Sequence, residues 1–487
     1  MDNVNMVQSP VQWSEYIKIP SLCEESVVIF TLSCRLGYDN SAYLMNHGSL
    51  FLCIVFVSVV CEDLGLCILQ AGVGRRELKV FAKYCFKTQI MSSSFFQRYK
   101  SHIPVPKGPF VVGCTDIMVG RSKEGTLMRL YYPTNVTDPM SKMDKWTPWY
   151  LGEEYTKGMA SFMAPSISSL FSMLFNWQMR GALIPAIWEE PMMDKKFPVV
   201  VFSHGLSANR SIYSTVCTEL SSHGFVVAAV EHRDTSACAS FTLSEDGSKE
   251  HILFRTLQPN EKEYDLRNQQ IKIRVQESVR ALDVLEKLEQ GKVTNELPSK
   301  FDLQQLCGRL DLTMPIMSGH SFGGGTTICT LSKDKRFKVG VALDPWMFPL
   351  KDEVDEICSA LTQPLLCIST EAFQNEVNLK AMSKLNDETT TFVTIKGTVH
   401  QNQCDTPFLV GPIGRVFAGA SSPLDPGTAM DINNRLMINF ICKHLGELTK
   451  SCNNYLPYIE SQKDKMVSGL YGKGKCMLGW DADYHAV

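Results

Sequence analysis

From about residue 100 onward, short unbroken apolar runs alternate with stretches of helical period. Phe197-Pro198-Val199-Val200-Val201-Phe202 is one such run, ending in the loop Ser203-His204-Gly205-Leu206. A helix is predicted over Tyr213–Ser222, followed by a strand over Phe225–Val230 that runs into Glu231-His232-Arg233-Asp234. Apolar residues at Ile271, Val275, Val279, Leu282, Leu285 and Leu288 line one side of a long amphipathic helix. Pro315–Met317 reads as a strand, Gly323–Leu331 as a helix, and Val339–Leu343, Leu365–Ile368 and Phe392–Ile395 as three further strands. Strands that are apolar at every position are buried on both faces, which predicts a parallel sheet covered by helices, an α/β fold.

The first ninety or so residues have a different pattern. Ser41–Cys61 carries no Asp, Glu, Lys or Arg, and Leu50–Val60 is almost continuously apolar. That is close to the roughly 20 residues a membrane span needs, although Asn46, His47 and Gly48 dilute its first half. It lies far from Met1 for a cleaved signal peptide and has no basic region before it. The segment is either a span, with Arg75, Arg76 and Lys79 placing the downstream domain in the cytoplasm, or a buried strand pair or leader dispensable to the rest. The expected organisation is a leader over 1–95, a catalytic domain over 96–470 and a tail over 471–487.

Composition narrows the function classes. With 487 residues the chain can build a core large enough for an enzyme. Forty-eight Lys+Arg against 51 Asp+Glu leaves a net charge of −3, which argues against a nucleic-acid binder working through a basic surface. The 17 cysteines are scattered and form no CxxC pair, so neither a zinc ribbon nor a dithiol redox site is indicated. They read as mostly reduced, buried thiols, which points to a cytoplasmic protein. Membrane association stays open because of the leader, and secretion because of the sequons at Asn135 and Asn209.

Gly319-His320-Ser321-Phe322-Gly323 fits the G-x-S-x-G nucleophile elbow and sits between an apolar strand and a helix. Such a turn lifts the serine hydroxyl clear of the sheet, and the next amide can stabilise an oxyanion. A serine needs a base, and the base an orienting carboxylate. In α/β-hydrolases these occur in the order Ser, Asp or Glu, His. Downstream of the elbow lie His400, His444 and His485. His444 falls in an amphipathic stretch and His485 two residues from the end, whereas His400 comes after a strand and a Gly397-Thr398-Val399 turn. Asp344 directly follows the strand Val339–Leu343, while Asp334 and Asp352 lie in solvated turns. Ser321, Asp344 and His400 are therefore the expected triad. Phe322 and Leu206, the latter in the loop after an earlier strand, are the expected oxyanion donors.

The chain from about Ile103 to Leu445 resembles the platelet-activating factor acetylhydrolases of the plasma and intracellular group. The matching stretches include Val112-Gly113-Cys114-Thr115-Asp116, Phe202–Leu206, Val230–Asp234, Leu266-Arg267-Asn268, Gly319–Gly324, Leu343–Leu350 and Val399-His400-Gln401, in family order. The resemblance assigns nucleophile, acid and base to the same three residues. It implies an α/β-hydrolase that removes the sn-2 acetyl or short or oxidised acyl chain of phospholipids, without calcium or any cofactor. The leader is outside the family pattern, and Asp2 leaves no N-myristoylation signal. A general carboxylesterase or lipase, or a non-catalytic lipid-binding protein of the same fold, are the alternatives. Residues 158–179 carry no charge, and Ile167, Leu170, Phe171, Leu174 and Gln178 share a helical face that either packs on the core or meets a lipid surface. Phospholipid, and through it a membrane or lipid surface, is the expected partner; oligomeric state has no signature.

Overall fold

The computed structural model describes residues 102–385, 388–446 and 455–470. The expected leader and the expected tail lie outside them, as does His485. The strands are β1 (Val112–Val119), β2 (Thr126–Pro133), β3 (Trp146–Pro148), β4 (Leu183–Trp188), β5 (Phe197–Ser203), β6 (Val226–Val230) and β7 (Ala239–Leu243). They continue with β8 (Lys249–Leu253), β9 (Leu310–His320), β10 (Val339–Leu343), β11 (Leu365–Thr370), β12 (Thr390–Ile395) and β13 (Met466–Ser468). The principal helices are α1 (Glu153–Met163), α2 (Ser168–Met179), α3 (Ser214–Ser222), α4 (Glu263–Glu289), α5 (Phe322–Lys333) and α6 (Pro426–Leu445).

One sheet runs in the order β13-β12-β11-β10-β9-β5-β6-β2-β1-β4-β3, and β7 and β8 form a separate hairpin. From β6 to β12 every neighbouring pair is parallel. The antiparallel β1–β2 pair extends the sheet beyond β6. Alternation along the buried strands decides which helix each residue meets. Val200 and Phe202 of β5 join the core formed with Val216 and Leu220 of α3 and Ile438 and Ile441 of α6. Val199 and Val201 face the opposite core, built with Ile271, Leu282 and Leu285 of α4 and Ile328 and Leu331 of α5. Burying each such side chain contributes about 1.5–3 kcal/mol before chain entropy is subtracted.

The sheet extends beyond the apolar runs. Strand β9 begins at Leu310, where Asp311 and Thr313 interrupt the run and the pairing with β5 shifts register. Helix α4 starts at Glu263, eight residues before its apolar stripe, with Glu263 and Asp265 complementing the helix dipole. The uncharged segment 158–179 divides at Pro165 into α1 and α2. Polar residues of α2 face inward: Ser172 is buried and bonded to Thr156 of α1, and Asn176 accepts from Tyr150 and Thr156. Met173 and Trp177 are about half exposed, at 49% and 57%. Among the described residues no helix is long and apolar enough to cross a membrane.

Candidate active site

The parallel strands all point their carboxyl ends to one edge, and five of them supply the site. At the end of β9, Ser321 adopts φ 58° and ψ −118° before the chain turns into α5. That conformation is costly for any residue with a Cβ. The elbow glycines answer to crowding rather than to unusual dihedrals. A Cβ on Gly323 would lie 1.9 Å from the Ser203 carbonyl oxygen, and one on Gly319 2.7 Å from the same atom. The elbow therefore presses directly against the end of β5. Gly205, in the loop beyond, faces Ser321, whose Cβ would stand 3.3 Å from any side chain placed there.

Asp344 follows β10 with φ 41°, and its amide continues the sheet by donating to the Ile368 carbonyl at 2.8 Å. Its carboxylate accepts the Thr370 N–H at 2.7 Å and the Thr370 hydroxyl at the end of β11. His400 opens a 3-10 turn after β12 and places Nδ1 2.9 Å from Asp344 Oδ2. Gln403 holds this turn by donating to the Ile368 carbonyl and to Asn433. The His400 ring stacks on Phe373 at 3.8 Å and lies 4.3 Å from the His320 ring. Burial pushes Asp344 up to about 7 and lowers His400 to about 3. The Thr370 donors act on Asp344 against burial and favour the carboxylate, while the lowered His400 keeps its imidazole unprotonated and available as a base near neutral pH.

The five expected site residues thus share one edge. Ser321 Oγ hydrogen-bonds no side chain among the described residues; in ligand-free hydrolases this contact is often long and closes around substrate. Leu206 and Phe322 flank the serine from the β5 loop and the α5 N-terminus, and neither N–H donates to another group among the described residues. The rejected candidates lie elsewhere: His444 packs on Phe440, and Asp334 caps its own turn through Arg336. Sequence reasoning missed Thr370, Phe373 and Tyr213, whose hydroxyl bonds His320 Nδ1 at 2.8 Å. Only Thr370 left a signal, as a polar residue closing a strand beside Asp344. His320, Asp344 and His400 also form a cluster whose potential ligand atoms lie within 4.8 Å of one another. Within it His400 Nδ1 bonds Asp344 and His320 Nδ1 bonds Tyr213, while His320 Nε2 is buried without a hydrogen-bond partner among the described residues.

Residues 95–466 match the family model of platelet-activating factor acetylhydrolase, isoform II. The chain belongs to this family. It is 37% identical over 381 residues to platelet-activating factor acetylhydrolase of Bos taurus, covering 76% of this chain and 83% of that one. The Gallus gallus protein of the same name is 38% identical, with 75% and 89% covered. A putative phospholipase A2 of Schizosaccharomyces pombe is 27% identical, with 70% and 92% covered. Among solved structures, a ferulic acid esterase from Streptomyces cinnamoneus superposes with a TM-score of 0.51 at 16% identity, covering 76% of this chain and 99% of that one. That likeness establishes the α/β-hydrolase fold.

Proposed function

We propose that the chain hydrolyses the sn-2 acetyl, or short or oxidised acyl, ester of phospholipids resembling platelet-activating factor, with Ser321 as nucleophile. The family supports the substrate class. The observation that carries the mechanism is the 2.9 Å bond between His400 and Asp344 beside a strained serine at the neighbouring strand end. In this reading His400 Nε2 takes the Ser321 proton as Oγ attacks the ester carbonyl. Asp344 holds the imidazole through Nδ1 and supports its transient charge. The amides of Leu206 and Phe322 receive the developing oxyanion. Collapse expels the lysophospholipid, with His400 returning the proton; water then enters by the same route to release the acid. Every proton is accounted for by the triad, so no metal or cofactor is needed.

The test is turnover of phospholipids with graded sn-2 chains, with and without chelator, in Ser321→Ala, Asp344→Asn, His400→Ala and His444→Ala. The first three should lose at least about a thousandfold in kcat while folding normally. His444→Ala should keep near-normal activity. Normal turnover in folded Ser321→Ala, or equal loss in His444→Ala with an active His400→Ala, overturns the assignment. A preference for long chains would favour a general lipase. Activity abolished by chelator and restored by calcium would contradict a metal-free mechanism.

A further inference from the structure

Arg274 of α4 is fully buried, yet it hydrogen-bonds none of Ser321, Asp344 and His400. Its Nε bonds Ser236 at 2.8 Å and pairs with Asp234 at 3.2 Å, which leaves the far end of the guanidinium free to act elsewhere. That end reaches the β5 loop. Nη1 donates to the His204 carbonyl, and Nη2 to the Gly205 carbonyl at 3.3 Å. The same guanidinium carbon sits 4.4 Å from the centre of the Phe322 ring.

The Gly205 carbonyl and the Leu206 N–H are opposite ends of one planar peptide group. A donor fixed on that oxygen therefore sets the direction of that N–H. His204 adds a second donor. Its Nε2 accepts the His232 N–H at 3.2 Å, so the proton sits on Nδ1, which lies 2.7 Å from the Gly205 oxygen. The other side of Gly205 is also held, its N–H donating to the Tyr213 hydroxyl at 3.1 Å. His232 is itself fixed by Ser203 at 2.7 Å and Glu277 at 2.6 Å.

We propose that Arg274 is a positioning residue for the oxyanion hole, aiming the Leu206 N–H through the Gly205 carbonyl while bearing on the ring of Phe322, the residue that supplies the second donor. One buried side chain then sets the spacing between two donors that come from different elements. Lysine could replace the charge beside Asp234 but not the fork that spans Nε, Nη1 and Nη2. This inference rests on the proposed roles of Ser321, Leu206 and Phe322.

The experiment compares full-length wild type, Ser321→Ala, Arg274→Lys and Arg274→Gln. It measures kcat and KM for a soluble short-chain ester, affinity for a short-chain trifluoromethyl ketone, and melting temperature. The ketone forms a hemiketal: Ser321 Oγ bonds to the carbonyl carbon, the serine proton passes to His400, and the oxygen becomes the anion the hole must hold. In either folded Arg274 variant, kcat and ketone affinity should fall together by roughly ten- to a hundredfold, less than deleting a donor outright, while KM changes little. A role in packing alone would lower the melting temperature and leave both per folded molecule unchanged, and that result overturns the inference. Should the lysine variant not fold, the glutamine variant carries the same readouts. Wild type that binds the ketone no better than Ser321→Ala refutes the site assignment itself, a failure distinct from an Arg274 variant that binds it normally.

Discussion

Ser321 pays a backbone cost for its position. A residue with a Cβ at φ 58° and ψ −118° stores about 1–3 kcal/mol, whereas glycine occupies that region freely. Replacing Ser321 with glycine removes the strain and adds about 0.5–1 kcal/mol of unfolded-chain entropy to be overcome. Ser321→Gly is therefore expected to be inactive and as stable as wild type or more so, by up to about 2.5 kcal/mol. Denaturant midpoints measure this. A clear loss of stability would mean that the elbow is relaxed with serine in place. The opposite holds at Gly323, where an added Cβ meets the Ser203 carbonyl and has nowhere to go.

Elements were legible in the sequence where burial is complete. Strands β6 and β10 are buried at every position, so their apolar runs mark them to within a residue. The hairpin β1–β2 was not read: Thr115, Asp116 and Arg129 break its pattern, because a buried ion cluster occupies positions where the period leads one to expect apolar side chains. Arg129 and Arg210 both bond Asp116, and Arg210 also pairs with Glu231. Of the site, the order of Ser321, Asp344 and His400 was visible because each directly follows a strand or its turn. Arg274 was not, since it lies among the apolar positions of α4 and its partners come from distant segments. The same element scale bears on lipid access. If the exposed side of α2 meets phospholipid surfaces, Met173→Glu with Trp177→Glu should weaken binding to phosphatidylcholine vesicles about tenfold or more while soluble-ester turnover persists. Sedimentation with vesicles decides it, and unchanged binding in the folded double variant would place attachment elsewhere.

At the scale of the molecule, the segment after residue 454 is tied back to the body. Strand β13 pairs with β12, and the Tyr455 hydroxyl bonds His223 Nε2, with Arg435 lying over the Tyr455 ring at 4.1 Å. Burial lowers His223 to about 4. A folded pKa below the unfolded value of roughly 6.5 means that the unfolded chain binds the extra proton first. The contribution is complete above about pH 6.5 and is lost as pH falls toward 4, by roughly 3 kcal/mol in all. His223→Gln should cost stability at pH 7.5 yet narrow its gap to wild type by pH 4.5, as read from urea midpoints at each pH. A gap that stays constant with pH would show that His223 titrates normally.

Asn209 lies inside this body, 3% exposed, with its carboxamide oxygen accepting the Ser211 N–H and its nitrogen directed at Cys238. A glycan linked there would be far too large for the space, so sugar attachment and folding compete for the same nitrogen atom. Asn135, in contrast, is exposed. When the chain is routed through a secretory pathway, every folded, active molecule should carry an unmodified Asn209, and molecules glycosylated there should be retained and degraded. Peptide mapping of the active and retained fractions reads out that competition, and its yield measures how fast the segment from β5 to α3 closes over Asn209 during synthesis.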